Sequence, residues 1–374
     1  MVQYQVLEDI LFYMLYAGVT MANLIACCYL LFRRGNAFAP DVKPPVRLRR
    51  WASAFLATMV LSHVWWFLSV RFQLFGSQLK GEVVSVGLDC VTLMPMMMVT
   101  LLTMLQDRRR PLWIVAIMIV PVVVALVVCI VRRHEAIEQL TSVALVAIDV
   151  LFVFYMAFFI YMVFAVRQYG KWLRDNYADL EHKEVWQSMA MVAVFMLLLF
   201  VYWFDNGNKT IEYLMQVNEI ILIGVLLWRV ETLQQLDGNS TQDTDMAEMP
   251  VEQNVAPSPN PSSIGQLLEQ HCEESQLYLQ HDLSLSQLSK AIGTNHYYLS
   301  QYFAQQGMTY NAYINGLRIG HFINLYHEAV AAQRQFTAQQ LANESGFRSY
   351  STFSVAFKQR MGQTVTAWMR DMAK

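Results

Sequence analysis

Seven apolar runs in the first 231 residues constrain this chain more than anything else it carries. They cover residues 10–32, 51–70, 83–106, 112–131, 140–166, 185–204 and 211–228. Each is about 18 residues or longer, enough at 1.5 Å of helical rise per residue to cross the roughly 30 Å of bilayer hydrocarbon. Lipid offers the backbone no hydrogen bonds, so each run must satisfy its own amides and is read as a helix. VWQSMAMVAVFMLLLFVYWF, residues 185–204, is among the clearest. The run at 211–228 is the weakest, because it carries Glu212, Asn218 and Glu219.

Composition agrees once it is divided. Hydrophobic residues make up 55% and charged residues 15%, against roughly a quarter charged in an ordinary soluble protein. The imbalance is confined to the first part, so residues 1–231 are expected to form a polytopic helical bundle and the remainder a soluble half. The net charge of −2 averages two different environments and decides nothing. Cys27, Cys28, Cys90, Cys129 and Cys272 have no metal-site spacing and no disulfide framework, and four of them lie in apolar runs, where cysteine behaves as a small hydrophobe. No metal and no cofactor is expected.

Orientation follows from the loops. The N-terminal flank MVQYQVLED has no Lys or Arg, unlike the basic start of a signal peptide. Arg33, Arg34, Lys43, Arg47, Arg49 and Arg50 follow the first run instead. By the positive-inside rule this loop is cytoplasmic and the N-terminus outside. Loops on that inner side also hold Arg108, Arg109, Arg110, Arg167, Lys171, Arg174 and Lys183, thirteen basic residues in all. The outer loops hold five: Arg71, Lys80, Arg132, Arg133 and Lys209. Seven crossings from an external start deliver residue 229 onward to the cytoplasm.

His63, Asp89, Asp149 and Glu219 fall inside the runs. An ionisable group at membrane depth is expensive and is a default candidate for function. Asp89 and Asp149 are the foremost candidates for a ligand pocket; the plainer alternative is that each is paired within the bundle or sits near an interface. Pro95 and Pro121 are expected to kink their helices. Met94, Met96, Met97 and Met98 read as adaptable packing.

Residues 232–262, TLQQLDGNSTQDTDMAEMPVEQNVAPSPNPS, are polar and nearly free of aromatics. Such a segment cannot bury enough surface to fold. As a flexible linker of 31 residues it would span about 30 Å. It is expected to be a passive spacer, with regulated cleavage within it as the sharper alternative.

Beyond it a motif occurs twice. Leu288, Gly293, Leu299 and Phe303 in one copy correspond to Leu341, Gly346, Phe353 and Phe357 in the other. Each copy is followed by a similar tail, GMTYNAY from Gly307 and GQTVTAW from Gly362. The physical reading is helix–turn–helix, twice. Ser284 can cap the first helix, Gly293 makes the turn, and Thr294 or Asn295 caps the second. Asn295, His296, Tyr297, Ser300 and Gln301 remain on the outer face of that second helix, able to meet base edges and phosphates. In the other copy Arg348, Ser349, Tyr350, Ser351, Thr352, Ser354 and Val355 crowd the helix start, the end that enters a major groove. Residues 310–332 read as one long helix holding the two units apart, so that they can meet successive grooves about 10 bp apart.

Residues 263–372 resemble the DNA-binding domain of the AraC/XylS family of bacterial transcription regulators. The resemblance lies in LSQLSKAIG-TNHYYLSQYFAQQGMTYNAYINGLRI and AQQLANESGF-RSYSTFSVAFKQRMGQT. It implies an all-α domain in which the two second helices read double-stranded DNA, through Tyr297, Ser300 and Gln301 in the first unit and Tyr350, Ser351, Ser354 and Val355 in the second. The helix faces read above add Asn295, Arg348 and Thr352 to the expected DNA-binding set. Arg318 falls on the family's linker-helix arginine and is expected to be structural or phosphate-facing. The chain departs from the family at Val365, where members usually carry Pro, and at Gln301 and Val355, where Arg is frequent. Residues 263–374 hold eight Lys/Arg against seven Asp/Glu, so non-specific phosphate binding is expected to be modest.

Together these readings lead to an expectation of an all-α protein in the bacterial inner membrane. It comprises a membrane sensor or anchor (1–231), a cytoplasmic linker (232–262) and an AraC-like domain (263–374). Its partners would be duplex DNA, the lipid bilayer, an unidentified small-molecule or envelope signal, and a second copy in a homodimer. It is not expected to be an enzyme. The alternative is a membrane transporter or enzyme with an accessory helix–turn–helix, against which the scattered acids and the lack of an evident inverted repeat weigh.

Overall fold

The computed structural model describes residues 2–33, 36–40, 42–72, 78–108, 137–180, 185–203, 209–236 and 261–372, with single positions between them. All regular elements are helical, and no strand occurs among the described residues. The chain divides into two compact units. One comprises Met1–Arg167 and Val185–Gln235, the other Gln168–Glu184 and Leu236–Lys374.

The first unit contains α1 (Val2–Phe32), α2 (Val46–Trp66), α3 (Gln78–Val91), α4 (Leu93–Thr103), the first part of α5 (Ile137–Asn176), α6 (Val185–Trp203) and α7 (Lys209–Thr232). A single π-turn, Phe67–Arg71, extends α2. The α1 helix packs on α2 and α7, α2 on α4, and α6 on α7. Among the described residues, five helices are long and apolar enough to cross a membrane: Leu7–Phe32, Val46–Arg71, Val84–Thr103, Asp149–Asn176 and Lys209–Thr232. These correspond to five of the seven expected runs. The run at 185–204 forms α6 around a shorter apolar stretch, Gln187–Leu198. The run at 112–131, with Pro121, and most of the linker lie outside the described residues.

The Val84–Thr103 span is interrupted between α3 and α4, with Thr92 off helical geometry at φ −121° and ψ −67°. Pro95 explains the place. It has no N–H to give to the carbonyl of Val91, and its ring crowds that carbonyl. The bonds on either side persist, Thr92 N–H to Leu88 O at 3.1 Å and Met96 N–H to Thr92 O at 3.2 Å. Met94, Met97 and Met98 are buried, in keeping with a packing role.

Burial in this unit is inverted relative to a water-soluble domain. Leu7, Leu11, Met14, Met21 and Ile25 form an exposed stripe on α1, and Leu214, Val217, Ile220 and Ile221 do so on α7. Asn23, Ser53, His63, Asp89, Gln216, Asn218 and Glu219 are buried.

The second unit contains α8 (Pro261–Leu268), α9 (Leu285–Ala291), α10 (His296–Gln305), α11 (Tyr310–Ala331), α12 (Ala338–Glu344), α13 (Tyr350–Met361) and α14 (Val365–Met372). The last turns of α5, from Gln168, belong to it too. Two apolar cores form. Leu288, Leu299, Phe303, Tyr310 and Ile314 lie in one, with Leu268, Cys272 and Ala178. Ile319, Phe322, Leu341, Phe353, Phe357 and Trp368 make the other. Burying one such large side chain stabilises by about 1.5–3 kcal/mol. Because α11 contributes to both cores, it is the spine of the unit. Burial pushes the Cys272 thiol up to about 12, so it stays protonated and packs as a small apolar group.

Gly346 sits in the α12–α13 turn at φ +89°, where a Cβ would lie 2.8 Å from Leu279 Cα. Gly293, in the matching turn, has φ +70° but open space around it. Gly346→Ala should therefore destabilise the second core by roughly 2–4 kcal/mol, from backbone strain plus overpacking. Gly293→Ala should cost about 1 kcal/mol. Hydrogen exchange of α12 and α13 in the two variants measures the difference, and equal protection would refute the close-approach argument.

Candidate nucleic-acid interface

Local capping fixes both helix–turn–helix units. Ser284 caps α9 by accepting from Gln287 N–H at 3.2 Å, while the Gln287 side chain accepts from Ser284 N–H at 2.9 Å. This reciprocal pair satisfies two amides that helix geometry leaves orphaned. Asn295 caps α10, accepting from Tyr297 N–H at 2.9 Å; of the two expected caps, it is the one used. Thr337 caps α12 and Ser349 caps α13, accepting from Gln340 N–H at 3.1 Å and Thr352 N–H at 3.4 Å.

These caps aim the two second helices. On α10, Leu299 and Phe303 are buried, Asn295, Tyr297 and Gln301 exposed, and His296 and Ser300 half-buried. On α13, Phe353 and Phe357 are buried, Ser351, Val355 and Lys358 exposed, and Tyr350, Thr352 and Ser354 half-buried. The α13 cap is a small hydroxyl cluster: Ser349 Oγ lies 3.0 Å from Ser351 Oγ and 3.1 Å from Thr352 Oγ1. Each helix thus presents short polar side chains from its N-terminal turns, as groove reading requires.

Arg318 is placed differently from these residues. It is 1% exposed. Its Nε donates to Tyr278 O and one terminal nitrogen to Gln280 O, both at 2.7 Å, and its guanidinium lies 5.6 Å from the centroid of the Phe347 ring. Of the two roles expected for it, these contacts serve the structural one. They tie the segment before the first unit to the turn of the second. Arg348 is also engaged, donating to Asp282 Oδ2 at 2.8 Å.

Asp282 meets a second cation, Lys183, at 3.0 Å. Burial raises the Asp282 pKa, but Lys183 and Arg348 outweigh that and hold the carboxyl below its usual value. Lys183 comes from the stretch after α5, and other bonds from that stretch accompany it. His296 Nε2 lies 2.8 Å from Asn176 Oδ1. The Asn311 amide donates to Ala178 O at 2.6 Å and to Tyr177 O at 3.3 Å, and Ala178 N–H donates to Leu283 O at 3.2 Å. A cavity of about 310 Å³ lies between the end of α5 and α10, with Lys171, Trp172 and Asp175 facing Tyr297 and Ser300. Sequence reasoning missed this attachment, since Asn176, Ala178 and Lys183 carry no motif and counted only as loop.

Residues 288–371 match a family model described as a helix-turn-helix domain, of the AraC type. The match spans less than a quarter of the chain and supports a DNA-binding helix-turn-helix of AraC type over this stretch. The match runs from the first unit's core residue Leu288 through the α11 spine and α13 into α14. No curated protein and no solved structure gives a significant match to the chain.

A second constellation lies in the first unit, apart from the AraC-type domain. His63 Nε2 is 3.3 Å from Glu219 Oε2, and His63 Nδ1 is 3.0 Å from Thr20 Oγ1. Tyr16 OH donates to His63 O at 2.7 Å, and the Asn23 amide donates to Glu219 Oε2 at 3.4 Å. Two of the four expected pocket residues are thereby brought together across α2 and α7, with polar groups of α1 between them. Asp89 is buried and accepts from Trp65 Nε1 at 3.0 Å. Asp149 is exposed on α5. Arg229, fully buried, donates to Gln187 Oε1 at 2.7 Å and Ser188 Oγ at 2.8 Å, a link the charge pattern gave no hint of.

Two outcomes follow from these contacts. Arg318→Leu leaves the buried Tyr278 carbonyl without its donor and removes the bond to Gln280 O, and should cost about 3 kcal/mol, read as lost hydrogen-exchange protection in α11 and residues 277–280. For Asp282 the folded pKa is the lower one, so its contribution is present at neutral pH and lost as pH falls through that value. Protection around Leu283 should fall on acidification below about pH 4 in the unsubstituted chain. It should already be low at neutral pH in Asp282→Asn, and an Asn variant that matches the parent at neutral pH would refute the ion-pair role.

Proposed function

We propose that this chain is a membrane-anchored transcription regulator of the bacterial inner membrane. Its first unit is embedded in lipid and senses a small-molecule or envelope signal; its AraC-type domain binds specific duplex DNA in the cytoplasm. The N-terminus lies outside. What carries the reading is the pairing of two groove-reading helices on one spine with a unit that turns its apolar side chains outward. Water would penalise an exposed stripe such as Leu7, Leu11, Met14, Met21 and Ile25, while lipid accepts it.

DNA recognition falls to Asn295, Tyr297, Ser300 and Gln301 of the first helix–turn–helix and to Tyr350, Ser351, Thr352 and Ser354 of the second. Arg348 approaches phosphate from the edge it does not use for Asp282, and Arg318 acts by holding the two halves in register. Hydroxyls and amides dominate this set, so specificity rests on short hydrogen bonds to base edges more than on guanine-clamping arginines. Eight basic residues against seven acidic ones over 263–374 make the salt dependence shallow. A homodimer, concentrated by the membrane, compensates by placing two such domains on adjacent half-sites.

The signal is received where His63, Glu219, Asn23, Thr20 and Tyr16 converge, because a buried polar cluster on three helices changes helix packing when its contacts are altered. Asp89, held by Trp65, extends that polar interior, whereas Asp149 faces outward on α5 and contacts lipid or another chain.

A reporter fused after Lys374 tests the arrangement. A fluorescent protein there should mature, and alkaline phosphatase there should be inactive; the opposite result removes the chromosome from the reach of the AraC-type domain. Genome-wide mapping of DNA bound to the full chain should return discrete sites. Ser351→Ala should weaken occupancy at those sites roughly fivefold to a hundredfold, the range of one lost base contact. Unchanged occupancy would remove Ser351 from the reading face.

A further inference from the structure

We propose that residues 168–180, with Lys183, mask the first reading helix, so that this half of the AraC-type domain meets DNA only after the segment lets go. The inference rests on the DNA-binding reading of α10 and adds its regulation. Its first support is steric. His296, Tyr297 and Ser300, on the outward side of α10, face Lys171, Trp172 and Asp175, and His296 is bonded to Asn176 at 2.8 Å. A major groove is about 12 Å wide and a helix with its side chains about 10–12 Å across. The groove therefore admits α10 alone. With the end of α5 on the same face, the base edges are out of reach.

The attachment suits a mask that must release. Among the described residues it includes polar bonds at Asn176, Asn311, Ala178 and Lys183 and a backbone bridge between Tyr177 and Ser284, with the buried side chains of Tyr177 and, in the first core, Ala178. Bonds of this kind exchange for water far more readily than a wide apolar interface separates. The cover is also one-sided. On α13, Ser351, Val355 and Lys358 are exposed, so the second reading helix can search DNA while the first is held. The chain further provides a lever: α5 is one uninterrupted helix from Ile137 to Asn176, and the candidate span Asp149–Asn176 lies within it. A rotation or slide of that helix would carry Asn176 off His296, in the manner of helix shifts in other switches.

The test uses the full chain in lipid nanodiscs and a duplex enriched from a random pool by the doubly substituted Asn176→Ala, Lys183→Ala protein. That variant should bind the duplex roughly tenfold more tightly than the parent, a typical coupling between two states. Its hydroxyl-radical footprint should extend by one further major groove, about 10 bp away. Hydrogen exchange should rise in α10 and stay unchanged in α13, which separates release of the mask from unfolding of the domain. A second arm holds the mask shut. Asn176→Cys and His296→Cys, made in a Cys28→Ser background because that native thiol is exposed, are joined by a reducible bis-methanethiosulfonate linker. The linked protein should protect only the α13 half of the duplex, and reduction should restore the full footprint. Equal affinity and equal footprint in parent and variant, or in linked and reduced protein, overturn the mask while leaving DNA binding standing. Failure of every form to bind any duplex overturns the DNA reading and the mask with it.

Discussion

One helix has to belong to two hydrophobic cores, and the second unit is organised around how α11 does so. Its N-terminal half supplies Tyr310 and Ile314 to one cluster and its C-terminal half Ile319, Phe322 and Tyr326 to the other. Arg318 stands at the changeover. A buried guanidinium is costly unless its donors are satisfied, and here two backbone carbonyls from residues 278 and 280 and the face of Phe347 meet that need. The result is directional. Phe347 lies in the turn that launches α13, and residues 277–280 precede the turn that launches α9. Register between the two helix–turn–helix units is therefore fixed in part by this side chain and its acceptors, alongside the Arg348–Asp282 pair.

The first unit obeys the opposite rule of burial for the same physical reason. Apolar side chains face outward there, and the polar groups gather inside and pair. Glu219 reaches both His63 and Asn23, Asp89 takes the Trp65 indole, and Arg229 takes Gln187 and Ser188. Near the end of α7, Glu231 accepts from Tyr29 OH and from the backbone amides of Ala37 and Phe38, fastening the chain that follows α1. Such clusters are rigid while complete and sensitive to the loss of any member, a property well suited to a receiver.

The outer face of α10 serves two demands. Short polar side chains that can bond base edges can equally bond Asn176 and the groups beside it. Neither partner need be matched by strong charge. That suits a domain with nearly balanced acids and bases.

Much of this was legible in the residues, and the exceptions are instructive. The repeat of Leu288, Gly293, Leu299 and Phe303 in Leu341, Gly346, Phe353 and Phe357 specified two helix–turn–helix units, because each turn needs a glycine and each pair of helices needs apolar contacts at fixed spacing. Five long apolar helices stand where runs of sufficient length predicted them, and the break beside Pro95 follows from one missing amide. These are local consequences of composition and period. The partners of Arg318, Asp282, His296 and Arg229 were not legible, since they lie tens to more than a hundred residues apart and no pattern links them. That Glu219 pairs with His63, with Asp149 left exposed on α5, depends on which faces the helices turn toward one another. Chain order and hydrophobic period determined which helices exist and what they can bury. Only the tertiary structure decided which polar groups meet, because that depends on helix rotation and on contacts closed across long loops.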